Sequence, residues 1–88
     1  MKIHVYSDPG HGWGKVKISI LKDLGILEKI TSYSYMRGEY AYLEEDCDLT
    51  TLVLTLRAKG IEPQFIDHHA NKSSRIRNYH HFSIGRIA

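Results

Sequence analysis

Eighty-eight residues at 42% hydrophobic and 25% charged specify one small core, since a chain of this size buries only about 60–65% of its unfolded surface. Disorder is excluded by the hydrophobic content; no apolar run approaches the roughly 18 residues of a membrane span, and MKIHVYSDPG lacks a signal peptide's apolar stretch, which points to a cytoplasmic protein. The net charge of +2 hides a division, with five acids and no base from Glu39 to Asp48 and four bases (Lys72, Arg75, Arg77, Arg86) and no acid after Asp67.

In chain order, KIHVYS alternates Ile3 and Val5 against His4 and Tyr6, the period of a half-buried strand. SDPGHGWGKVK, Ser7 to Lys17, then reads as a glycine loop leading into a helix over about 15–25, with Val16, Ile20, Leu21 and Leu24 on one face and Gly25 closing it. Thr31 to Leu43 carries a hairpin signal: Tyr33 and Tyr35 alternate with Ser34 and Met36, Arg37-Gly38-Glu39 supplies the turn, and Tyr40 and Tyr42 alternate with Ala41 and Leu43. A second helix over about 48–59, capped by Asp46 or Asp48, follows from Leu49, Leu52, Val53 and Leu56, with Gly60 as its stop. IEPQFIDHH reads as a last strand, and Pro63 favours an edge position because proline lacks the ladder donor.

Strand, helix, strand, strand, helix, strand predicts an α+β, ferredoxin-like βαββαβ fold: a four-stranded antiparallel sheet with both helices on one face. A single domain over 1–88 then divides into a ferredoxin-like core, 1–69, and a basic C-terminal tail, 70–88, with a weak apolar rhythm (Ile76, Tyr79, Phe82, Ile84) that suits a short strand or a fold back over the sheet. Ile3, Val5, Ala41 and Leu43 should face the core. His4, Tyr6, Tyr33, Tyr35, Tyr40 and Tyr42 should form the opposite face, a surface suited to bases, flat ligands or a second copy of the chain, hence a homo-oligomer.

RGEYAYLE, Arg37 to Glu44, resembles the third-strand signature of RNA-recognition motifs, with IHVY as the first-strand counterpart and Glu39 as an inserted residue. That resemblance implies binding of single-stranded nucleic acid by stacking on the tyrosines. Across nearly the whole chain, DPGHGWGKVK, SYSYMRGEYAYLEEDCD, LRAKGIEP and HHANKSSRIRNY resemble a group of short, mostly uncharacterised proteins of tailed bacteriophages. This second resemblance implies a role in the host cytoplasm against host defence, including sequestration of a nucleotide signal, and brings no catalytic residues.

The glycine loop is not a Walker motif, since Pro9 and Val16 stand where that motif needs a glycine and a Ser or Thr. Gly10, Gly12 and Gly14 can still turn backbone N–H groups toward an anion, with Lys15 adding charge; the alternative is a connector whose Trp13 plugs the core. Lys72, Arg75, Arg77 and Asn78 offer phosphate and base-edge donors. Gly10, His11, Gly12, Trp13, Lys15, Tyr35, Arg37, Tyr42, His69, Lys72, Arg75, Arg77 and Asn78 therefore form the expected ligand site, with Trp13 and Tyr35 or Tyr42 stacking on a base.

His68-His69 and His80-His81 lack metal-ligand spacing, Cys47 has no partner cysteine, and Asp67-His68 has no nucleophile placed beside it by any motif. The expectation is a non-enzymatic binding protein without metal or cofactor that holds a phosphate-bearing small ligand. The alternatives are an inhibitor of a host defence protein, of anti-CRISPR or anti-restriction type, that docks through the acidic stretch Glu39 to Asp48, and a single-stranded nucleic-acid binder.

Overall fold

A computed structural model of the protein describes residues 1–87; Ala88, the end of the expected tail, lies outside them. Six strands, β1 (Lys2–Ser7), β2 (Gly12–Lys17), β3 (Tyr35–Arg37), β4 (Tyr40–Glu44), β5 (Gln64–His69) and β6 (His80–His81), form one sheet in the order β5-β1-β2-β4-β3-β6. Only β1 and β5 run parallel; the other pairs are antiparallel. Two helices, α1 (Ile18–Asp23) and α2 (Asp48–Ala58), complete the fold.

This mixed six-stranded sheet replaces the expected four-stranded ferredoxin-like arrangement. The difference begins at residue 12, where the chain returns as β2 instead of entering a helix, so that β1 and β2 make a hairpin with Ser7 opposite Gly12 and His4 opposite Lys15. The turn follows from Asp8-Pro9-Gly10-His11, an Asp at the first position and a proline at the second. The Asp8 N–H donates to the His11 carbonyl at 2.9 Å, and the Asp8 carboxyl accepts from the Gly10 and His11 N–H groups at 3.0 Å each. Consequently α1 starts only at Ile18, with Lys17 as its uncapped N-terminal neighbour, and the loop has no helix end to lend it positive potential.

Alternation along β2 sorts its residues cleanly. Gly12, Gly14 and Val16 point to the helix side, where Ile3, Met36, Ala41, Leu43, Leu21, Leu49, Leu52, Leu56 and Phe82 make the main core. Gly14 is required there: a Cβ would stand 2.6 Å from Leu49 Cδ1, so glycine lets α2 press onto β2. The second helix lies where its periodicity places it, and Gly60 ends it at φ +78°. Its first residue does not cap it. Asp48, fully buried, instead accepts from the Thr31 N–H and hydroxyl and from the Ser34 hydroxyl, tying residues 31–34 to α2.

Beyond β5 the chain crosses the sheet twice. Residues 70–79 run over the face opposite the helices and bury Ile76 there in a 3₁₀ turn, Arg75–Asn78. At β6 it passes the edge of β3, with His81 opposite Tyr35, and Phe82 enters the main core on the other side. Among the described residues no helix is long and apolar enough to cross a membrane.

Candidate functional site

The face opposite the helices carries rows of side chains set by register: Trp13 beside Glu44, then Lys15, Tyr42 and Tyr35, then Lys17, Tyr40 and Arg37. The aromatic face expected from the tyrosine pattern is therefore present, except that Tyr33 precedes β3 and stands 71% exposed at the rim. It is not an open platform, however. Ile76 packs on Trp13 and Tyr42, which are 2% and 8% exposed, and Tyr6, Tyr35, Tyr40 and Tyr79 surround this second apolar cluster. The middle of the surface expected to drive self-association, or to stack bases as in an RNA-recognition motif, is covered by the chain's own residues.

One carboxyl group holds that cover. The Asp8 side chain, 1% exposed, accepts from Arg77 Nε at 2.7 Å and Nη2 at 2.8 Å, and from the Ser74 N–H at 2.8 Å, in addition to its two bonds within the β1–β2 turn. The Arg77 guanidinium above all, then the Ser74 amide, holds the Asp8 carboxyl well below the usual carboxylate range, and Asp8 in turn raises Arg77. Arg77 also lies over the Trp13 ring, 5.2 Å from its centroid. The Gly10 amide and the Arg77 guanidinium, both expected to meet an anion, are thus engaged with Asp8, as is the His11 amide.

Covering the middle leaves a cleft on either side of Ile76. The first, of about 510 Å³, is lined by Tyr6, Lys15, Tyr42 and Tyr79 and, from the tail, by Ala70 and the run from Lys72 to Ile76. Lys15, Lys72 and Arg75 bring three positive charges, and among the described residues no carboxylate lines the cleft. Lys15 Nζ sits 4.2 Å from the Tyr40 ring centroid, which orients its stem without neutralising it. Burial pushes the Tyr42 phenol up, so it stands as a neutral hydroxyl beside Tyr79.

The second cleft, of about 390 Å³, is lined by His11, Trp13, Tyr33, Tyr35, Glu44, Cys47, Arg77 and His81. Tyr35 stacks on His81 at 4.7 Å and meets Trp13 edge-on at 6.1 Å. Burial, then the neighbouring Asp48, pushes the Cys47 thiol up, keeping it in its unreactive protonated form.

The expected ligand residues therefore divide. Lys15, Tyr42, Lys72 and Arg75 meet in the first cleft, and His11, Trp13, Tyr35 and Arg77 in the second. Gly10 and Gly12 stay in the hairpin, under Arg77 and Glu45 respectively. Arg37 lies over Tyr79 and donates to its hydroxyl at 3.3 Å, His69 meets Ser7 Oγ at 3.1 Å at the end of β5, and Asn78 is exposed; these three line neither cleft. Sequence reasoning missed Asp8, whose signal is the Asp-Pro-Gly turn, and Glu44, which register alone brings beside Trp13. Compared with protein-family models, curated proteins and solved structures, the chain finds no match.

Proposed function

We propose that the first cleft binds a phosphate-bearing small ligand, a nucleotide by its combination of charge and aromatic wall, and that the protein acts by holding it. The observation that carries this reading is the convergence of Lys15, Lys72 and Arg75 with Tyr6, Tyr42 and Tyr79 on one concavity without a carboxylate. Its volume lies within the roughly 300–1,000 Å³ common to small-molecule sites. Cationic side chains meet phosphate oxygens, the arginine two at a time, and tyrosine rings offer a flat apolar surface to a base.

Binding without turnover is supported by the lining itself, which has no histidine or carboxylate to serve as general base for Ser73 or Ser74. Ser74 Oγ is also engaged, accepting from the Ile76 N–H at 3.2 Å. Together with the resemblance to short tailed-phage proteins, this favours sequestration of a nucleotide signal of host defence over inhibition by protein docking. Titration with mono-, cyclic and oligonucleotides at two salt concentrations tests the reading. A pocketed nucleotide gives saturable binding with a shallow salt slope and no length dependence; affinity that rises with oligonucleotide length and falls steeply with salt makes the protein a single-stranded nucleic-acid binder instead.

A further inference from the structure

We infer that the second cleft is a separate binding site for a small organic cation, of the methylated ammonium class. Its wall is largely aromatic: Tyr35 stacks on His81 and meets the buried Trp13 edge-on, Arg77 lying over the indole, while His11 stands 6.2 Å from Trp13 and Tyr33 lies at the rim. Such rings attract a cation through their negative faces and favour one that sheds water easily, as an alkylated ammonium does.

Charge inside the cleft points the same way. Arg77 is its one permanently basic lining residue, and that charge is balanced by the bidentate pair with Asp8. Among the described residues Glu44 is the one carboxylate that lines it. Its side chain accepts only from the Asp46 N–H, at 3.1 Å, and among the described residues no lysine or arginine lies within ion-pair distance of it. The His81 Nδ1 is 2.7 Å from the Ser32 carbonyl, which can only accept, so Nδ1 donates there and the ring is held in place against Tyr35. An aromatic wall and an uncompensated carboxylate suit a cation and repel a phosphate. Ile76, packed on Trp13 and Tyr42, separates this site from the first cleft.

Choline and its uncharged tert-butyl analogue are the probes. Trp13 is the chain's one tryptophan, so its emission reports the second cleft directly, and the Tyr35 and His81 ring resonances give a second readout. Choline should bind saturably, the neutral analogue at least tenfold more weakly. Glu44→Gln, which keeps an acceptor for the Asp46 amide, should weaken choline about tenfold; Tyr35→Ala should do likewise, and Lys72→Ala in the first cleft should change nothing. Glu44→Gln alone suffices if Tyr35→Ala does not fold. Equal affinity for the two probes, no saturable change into the millimolar range, or a loss caused by Lys72→Ala and not by Glu44→Gln would each overturn the site. None of these outcomes bears on nucleotide binding in the first cleft.

Discussion

The two clefts share one sheet face and one kind of wall, yet three cations line the first and a lone carboxylate sets the charge of the second. The sheet begins the difference, with Lys15 of β2 on one side and Glu44 of β4 on the other. The covering segment completes it: it delivers Lys72 and Arg75 to one side and places Arg77, already neutralised by Asp8, on the other. A basic stretch is thus not a basic surface until each charge has been followed to its partner.

The broadest way to break the comparison is Asp8→Ala, which frees Ser74 and Arg77 together with the hairpin turn. Both clefts should open at once, and the Tm should fall by on the order of 10 °C, because the Gly10, His11 and Ser74 N–H groups and the Arg77 guanidinium lose their common acceptor. Acid should act through the same group. The folded-state pKa of Asp8 is depressed, so its contribution is complete above the unfolded value of about 4 and is lost as pH falls below it. Wild-type Tm should therefore decline below about pH 4 more steeply than that of Asp8→Asn.

Asp48→Ala should act on one side only. It releases Thr31 and Ser34, which lead into Tyr33 and Tyr35, at a cost of about 3 kcal/mol, because buried donors left unpaired cost roughly 1–3 kcal/mol each. Denaturant unfolding measures that loss, and the Tyr35 resonances should broaden or shift more than those of Tyr6. Lys15→Ala and Arg75→Ala should sharpen the contrast without unfolding anything. Each should weaken nucleotide binding in the first cleft by about 1.5–3 kcal/mol in calorimetric titration, with the melting curve unchanged. The smallest effect belongs to Arg37→Ala, which removes an exposed contact with Tyr79 and should shift stability by less than about 1 kcal/mol.

Where local pattern and tertiary role coincide, the fold was legible. Ile3 and Val5 in β1, Ala41 and Leu43 in β4, the apolar stripe of α2 and the edge position of β5 follow directly from alternation, helical spacing and proline placement. The second strand did not, because its helix-side positions include two glycines whose side-chain space is filled from elsewhere, at Gly14 by Leu49 of α2 and at Gly12 by Glu45. In GWGKVK the alternation is present but invisible to a hydrophobicity reading. The two residues of β6 carry no periodicity at all. For the clefts, the cations and tyrosines could be named from composition, but Arg77 could not be assigned, since its partner lies 69 residues away. Phe82 belongs to the main core while Ile76, six positions earlier, is buried on the other face, so a rhythm that looks weak in one dimension serves two cores.

The parallel pairing of β1 with β5 brings Lys2 opposite Gln64, and this has a consequence for the order in which the molecule assembles. The β1–β2 hairpin closes a turn of four residues and can form locally, whereas β5 and the Asp8 contact to Ser74 must wait for most of the intervening chain to condense, since closing a long loop costs entropy before any contact rewards it. Both clefts are then late products of folding. In stopped-flow refolding, far-ultraviolet ellipticity should recover ahead of Trp13 emission, the indole being shielded only when Ile76 and Arg77 arrive; simultaneous recovery would mean that the covering segment belongs to the folding nucleus itself.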